Sequence, residues 1–187
     1  MMHTAVQSET LLAPPPADAD LRALIQLAVK EDLGASTTPQ GTLIGGEDRT
    51  VELSIPAEHQ STGLIVARRL GICAGGFLLP MILREYDARL TCHLLTPDGA
   101  LLSAGQPIAR VGGPTRGLLS AERVLLNFLG HLCGIATVTR RYVEAVAFLP
   151  GGLKSPAICD TRKTTPGFRR LDKYAVACGG GLNHRMG

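Results

Sequence analysis

Residues 158–187, ICDTRKTTPGFRRLDKYAVACGGGLNHRMG, gather Arg162, Lys163, Arg169, Arg170, Lys173, His184 and Arg185 around a threonine-rich turn and Gly179-Gly180-Gly181. Ala157-Ile158-Cys159 is an uncharged apolar run suited to a buried strand, and Asp160 opens the polar stretch that ends it. Arg162 and Lys163 then stand at the strand's carboxyl end, where open and closed α/β sheets hold their ligands. Thr164-Thr165-Pro166-Gly167 has turn composition, because proline fixes φ and glycine permits positive φ. Residues 171–178 read as a short helix stopped by the three glycines, and Asn183-His184-Arg185 follow on the lip of the next strand.

Adjacent basic residues are commonly a solvated face rather than a site. A solvated face carries compensating acids, yet between Arg162 and Arg185 the only acid is Asp172. Arginine offers a planar fork that fits carboxylate or phosphate, and lysine a mobile point charge, so two such clusters at neighbouring strand ends suit a small polyanion.

DTRKTTPG, followed by KYAV, CGGG and NHR, resembles quinolinate phosphoribosyltransferase, also called carboxylating nicotinate-nucleotide pyrophosphorylase. The resemblance extends upstream through Glu122-Arg123, Leu126-Asn127-Phe128, Gly134-Ile135-Ala136-Thr137 and Thr139-Arg140, and more weakly to Glu31-Asp32-Leu33-Gly34. Ser36 stands where that family commonly has an acid before the threonines, which puts that loop contact in doubt.

The 187 residues are 45% hydrophobic and 19% charged, the balance of an ordinary globular chain, and a net charge of +3 does not by itself imply nucleic-acid binding. Residues 1–20 contain Pro14-Pro15-Pro16 and lack a basic n-region, so they read as a mobile tail rather than a signal peptide or membrane span. No uncharged run elsewhere reaches bilayer length, and a cytoplasmic protein with no membrane partner is expected. Cys73, Cys92, Cys133, Cys159 and Cys178 are odd in number and form no C-x-x-C pair, so buried reduced thiols are expected.

Residues 21–117 are expected to form an α/β sandwich domain. A helical stripe through Leu21, Leu24, Ile25, Ala28 and Val29 stops at Gly34, and Ser36-Thr37-Thr38-Pro39 reads as a turn or cap. Val51, Leu53 and Ile55 alternate at period two and predict a strand; residues 63–67 and 90–95 predict two more. A helix is expected over 77–86, with Pro80 in its first turn. Asp98-Gly99, Ala104-Gly105 and Val111-Gly112-Gly113 read as turns between short strands, a pattern like a lipoyl carrier domain. No lysine lies between Lys30 and Lys154, so there is none to carry a cofactor.

Residues 118–187 are expected to form a helical connection and the first part of an α/β barrel. The helix over 118–146 carries Leu125, Leu129, Leu132 and Ala136 on one face; Gly130 and Gly134 mark either a close helix neighbour or a break. Arg140 and Arg141 are either cations at the carbonyl end of that helix or part of the anion site. A complete eightfold barrel takes about 250 residues. The fold class expected is therefore α/β, an α+β sandwich domain followed by a truncated barrel start.

The resemblance implies joining of quinolinate to phosphoribosyl pyrophosphate with loss of pyrophosphate and CO2. It implies Mg2+ carried with the phosphorylated substrate, and a homodimer or higher homo-oligomer with a shared site. Carried over residue by residue, it assigns Lys163 and His184 to catalysis and Arg123, Thr161, Arg162, Lys163, His184 and Arg185 to substrate, with Arg123 reaching a neighbouring subunit's pocket. Asp160 is read as orienting Arg162 or Lys163. The alternatives are an incomplete fragment acting only as a binding or dimerisation module, and a paralogous enzyme with another substrate.

Overall fold

The computed structural model describes residues 16, 19–34, 36–37, 43–44, 48–147 and 156–185. The expected mobile tail therefore lies almost entirely outside the described residues, as do Thr38 and Pro39. The first helix, α1 (Ala19–Leu33), buries Leu21, Ile25 and Val29 and ends at Gly34, whose φ of 65° a side chain would resist. Two short strands, β1 (Ser36–Thr37) and β2 (Leu43–Ile44), pair antiparallel, so Ser36-Thr37 are strand rather than cap.

The strand expected at Val51, Leu53 and Ile55 is instead helix α2 (Arg49–Ser54). Asp48 Oδ1 accepts from Val51 N at 3.1 Å and caps the amino end. Arg116 donates to the carbonyls of Ile55 and Glu52 at 2.8 and 2.9 Å and satisfies the other end. Alternation over five residues carries less weight than these two caps, one of them supplied from a distant segment.

A three-stranded antiparallel sheet follows, in the order β3 (Gln60–Val66), β7 (Pro107–Pro114), β5 (Thr91–Leu94). Strands β4 (Gly71–Ile72) and β6 (Leu101–Leu102) form a second antiparallel pair. Gly99 and Gly105 make the expected turns with φ of 85° and 81°. Val111-Gly112-Gly113 is not a turn: it lies inside β7, paired with Gly63, Thr62 and Ser61. A side chain at Gly112 would press on Thr91 and Thr62, so glycine lets the three strands close up there.

Helix α3 (Leu78–Tyr86) buries Leu78, Leu79, Ile82 and Leu83 against α4 (Thr115–Ala147). The buried positions of α4, among them Ala121, Val124, Leu125, Phe128, Leu129, Leu132 and Ala136, recur at three and four residues and make one apolar stripe. By length and composition α4 is also the one described helix able to cross a bilayer. Its stripe is committed instead to α3, α5, β4 and β7. Neither alternative for Gly130 and Gly134 holds within the described residues: α4 runs unbroken, and both glycines face open space.

Helix α5 (Arg169–Cys178) joins the same core through Leu171, Tyr174, Ala175 and Cys178. The Tyr174 hydroxyl donates to Asp98 Oδ2 at 2.9 Å, Gly76 N donates to Asp98 Oδ1 at 2.9 Å, and the Tyr174 ring meets Phe77 edge-on. One carboxylate thus ties α5 to the sandwich. The described architecture is mixed α and β, with helices packed among small antiparallel sheets.

Candidate active site

The expected buried strand at Ala157-Ile158-Cys159 is a single parallel bridge between Cys159 and Leu182, and Ala157 and Cys159 are exposed. A parallel strand is buried when neighbours flank it and helices cover it; here its one strand partner among the described residues is Leu182, itself 51% exposed. Cys159 is consequently an exposed thiol, against expectation. Cys73 and Cys178 are buried, Cys92 and Cys133 half-buried, and all five cysteines are unpaired.

The bridge sets two chain ends side by side, and Asp160 locks them. Asp160 N donates to Leu182 O at 3.0 Å, Leu182 N to Ile158 O at 2.8 Å, and His184 N to Asp160 Oδ1 at 2.9 Å. In the orientation that satisfies both ends of its amide, Asn183 donates to Asp160 Oδ2 at 2.8 Å and to Lys173 O at 2.9 Å. Lys173 Nζ, from α5, donates to Asp160 Oδ1 at 2.6 Å, with the two side chains 1% and 3% exposed. Asp160 therefore holds Lys173 and the Asn183-His184 backbone; the expectation that it orients Arg162 or Lys163 is corrected. Lys173 leaves the basic cluster, because its charge is spent inside the protein.

Beyond Asp160, Thr161 Oγ1 accepts from Lys163 N at 3.0 Å, a local bond that bends the chain at Arg162. Thr161, Arg162, Lys163, His184 and Arg185 are all exposed. The Cys159–Leu182 bridge and the His184 N–Asp160 Oδ1 bond set the start of the 161–163 segment beside the chain at His184. The two basic segments, 161–163 and 184–185, thus leave adjacent chain ends, while Arg123 lies apart on α4.

The turn after Lys163 is held from α5. Phe168 N donates to Thr165 O at 2.9 Å across Pro166-Gly167, with Gly167 at φ 79°, the pattern of a proline-glycine type II turn. Asp172 reaches back: Oδ2 accepts from Thr165 N at 2.9 Å and Oδ1 lies 2.8 Å from His131 Nε2 on α4. Phe168 stacks on Phe128, ring centres 5.2 Å apart, and sets its edge toward His131. Asp172, the lone acid of the basic stretch, belongs to this brace.

Gly179-Gly180-Gly181 are shaped by α4. A Cβ on Gly179 would stand 2.4 Å from Ala136 O and 2.7 Å from Thr139 Cβ; one on Gly181 would stand 2.7 Å from Val176 Cγ1. Gly180 has φ of 89°. The run permits helix and turn to touch, a reason independent of any phosphate. Arg140 is half-buried beside Gly180, whereas Arg141 is exposed; neither joins the strand-end cluster by a described hydrogen bond.

Arg123 lines a separate cleft of about 700 Å³ between α1, α4 and the 165–168 turn, with Asp32, Asn127, Phe128, His131, Thr165 and Phe168 among its walls. Arg162, Lys163, His184 and Arg185 do not line it. Arg123 Nη1 donates to Asp32 Oδ1 at 2.5 Å, and Tyr86 OH donates to Asp32 Oδ2 at 3.0 Å. Sequence alone signalled neither Asp32 nor Tyr86 as Arg123's company; the only hint was the weakly matching Glu31-Asp32 block.

Residues 48–133 match the family described as quinolinate phosphoribosyl transferase, N-terminal domain, and residues 135–187 match its C-terminal domain. The chain is 45% identical over 144 residues to a nicotinate-nucleotide pyrophosphorylase [carboxylating] of Mycobacterium leprae (strain TN), covering 76% of this chain and 49% of the relative. It is 39% identical over 182 residues to a quinolinate phosphoribosyltransferase [decarboxylating] of Nicotiana tabacum, covering 96% of this chain and 47% of the relative. The crystal structure of NadC from Streptococcus pyogenes superposes with a TM-score of 0.80 at 32% identity, over 94% of this chain and 56% of that one. The chain spans about half the length of the curated relatives it matches. With both domains of one family matched in order and the fold shared at this level, the chain belongs to the quinolinate phosphoribosyltransferase family.

Proposed function

We propose that the protein transfers the phosphoribosyl group of phosphoribosyl pyrophosphate to quinolinate, with decarboxylation to nicotinate mononucleotide, pyrophosphate and CO2, as a glycosyltransferase of NAD biosynthesis. The observation that carries this is the Cys159–Leu182 bridge with the Asp160–His184 bond, which sets the chain leading into Arg162 and Lys163 beside that leading into Arg185, while the nearby acids Asp160 and Asp172 are engaged by Lys173 and His131. Arg162, Lys163 and Arg185 remain exposed, with no carboxylate bonded to their side chains among the described residues.

In this proposal the Arg162 and Arg185 forks grip the two pyridine carboxylates and turn the ring nitrogen toward the anomeric carbon of the sugar. Lys163 meets the charge that grows on departing pyrophosphate, with the Thr161 hydroxyl and the His184 imidazole as hydrogen-bonding partners at the same rim. Magnesium arrives on phosphoribosyl pyrophosphate as part of that substrate. Once ribosylated, the ring nitrogen is cationic and accepts the electron pair left when the neighbouring carboxylate departs as CO2. That step asks of the protein mainly a preorganised, water-poor surrounding.

We also propose a homodimer, in the cytoplasm, in which Arg123 serves a site on the second copy. It is supported by the separation of the Arg123 cleft from the strand-end cluster, and by exposed Leu119, Leu126 and Val138 on the same helix as bare Gly130 and Gly134. A second reading, a binding or dimerisation module without turnover, is favoured by the single bridge that is all Cys159 and Leu182 share.

The test is formation of nicotinate mononucleotide from quinolinate by the purified protein, with quinolinate affinity measured separately. Arg162→Ala is expected to weaken quinolinate binding about 10- to 100-fold, the loss of a charge-assisted bond. Binding without turnover selects the module, and affinity unmoved by Arg162→Ala overturns the dicarboxylate assignment.

A further inference from the structure

Asp32 is an unusual carboxylate for a helix terminus. Its side chain is 9% exposed although that of its partner Arg123 is 68% exposed, and both its oxygens are taken, one by Arg123 and one by the Tyr86 hydroxyl. Three helices meet in it, because Asp32 lies in the last turn of α1, Tyr86 ends α3, and Arg123 lies in the third turn of α4. Burial and the adjacent Asp32 push the Tyr86 phenol far above its usual range, so it stays a donor at any physiological pH.

The contact engages Arg123 at Nη1 only, since the second carboxylate oxygen faces Tyr86. A carboxylate that quenches an arginine takes the fork bidentately. Here the remaining N–H groups of Arg123 have no partner among the described residues, and the side chain lines the cleft together with Thr165 and Phe168. A long exposed arginine loses much rotamer freedom when it captures a ligand. One anchored Nη1 removes part of that cost beforehand and fixes the direction of the rest.

We infer that Asp32 and Tyr86 are positioning residues that aim the Arg123 guanidinium across this cleft toward a carboxylate-bearing substrate held by the second copy, an inference that rests on the reading of Arg123 as a ligand to that copy's substrate. They touch no substrate themselves; they act through Arg123.

The test compares the parent protein with Asp32→Asn, Tyr86→Phe, Arg123→Ala and Asp32→Asn/Arg123→Ala. Asp32→Asn is expected to raise KM for quinolinate about tenfold, in keeping with loss of one charge-assisted bond, leaving KM for phosphoribosyl pyrophosphate near its parent value. Tyr86→Phe, which removes one hydroxyl and preserves the packing, is expected to act in the same direction and more weakly. The decisive readout is the double variant: Asp32→Asn adds nothing further once Arg123 is alanine. A second readout needs no activity, namely the rate at which phenylglyoxal modifies Arg123, followed by mass spectrometry and expected to rise in Asp32→Asn. A parent protein that neither binds nor turns over quinolinate sinks the proposed function and leaves the modification rate to judge the positioning. Unchanged quinolinate KM and unchanged modification rate in Asp32→Asn, tighter quinolinate binding, or an equal penalty in the Arg123→Ala background each overturn the positioning role.

Discussion

Lys173 Nζ lies 2.6 Å from Asp160 Oδ1, and both side chains are almost wholly withdrawn from solvent. The pair joins the end of one strand to the middle of α5, and through Asn183 and the His184 backbone it also joins the next strand. Removing one partner strands a buried charge, so Lys173→Met is expected to destabilise by ~3–5 kcal/mol. The combined Asp160→Asn/Lys173→Met change is expected to cost clearly less than the sum of the single changes. Urea unfolding of the four proteins gives the coupling directly, and additive effects would contradict the geometry.

Two glycines of the same helix pair should respond in opposite directions. A Cβ at Gly179 meets Ala136 O at 2.4 Å, backbone that cannot swing aside, so Gly179→Ala is expected to destabilise by about 1–3 kcal/mol. Gly134 lies mid-helix with nothing within 4 Å of a Cβ, so Gly134→Ala is expected to stabilise by about 0.5–1 kcal/mol through helix propensity. Thermal unfolding of the two variants checks the sign of each.

Breaking the brace at Asp172 should release the turn that follows Lys163. Asp172→Asn gives the Thr165 N–H donor a poorer acceptor and weakens the bond to His131. Amide exchange at Thr165 is expected to accelerate at least tenfold, in line with a bond to a charged group worth about 1.5–3 kcal/mol. Exchange in α3 is expected to stay at the parent rate, and a uniform acceleration would indicate global loosening instead.

Alkaline pH should weaken the fold. Burial first, then the Asp98 charge, push the Cys178 thiol from its ordinary 9.0 up to about 12, and burial with Asp98 likewise raises the Tyr174 phenol. An unfolded chain gives up these protons at lower pH than the folded one does. Between about pH 9 and 12 the unfolded state therefore binds fewer protons, and stability falls as pH rises. Cys178→Ala is expected to flatten part of that slope, measured as the urea midpoint from pH 8 to 11.

Much of this protein follows from local pattern. The stripe through Leu125, Leu129, Leu132 and Ala136 dictates α4, Gly167 after Pro166 dictates a turn, and the ordered basic blocks dictate the family, because each depends on residues a few positions apart. Short range fails where the deciding partner is remote. Val51, Leu53 and Ile55 alternate like a strand, yet Arg116, more than sixty residues on, satisfies the carbonyls that make them a helix.

The sites obey the same division. Sequence alone could count cations and find them uncompensated, but it could not know that Lys173 is spent on Asp160 thirteen positions away. Nor could it know that Arg123 rests on Asp32 across ninety-one positions, or that Gly179 and Gly181 serve contact with Thr139. Charge and periodicity are properties of the chain; which charge meets which, and which is left facing solvent, is fixed only when burial makes an unpaired ion intolerable.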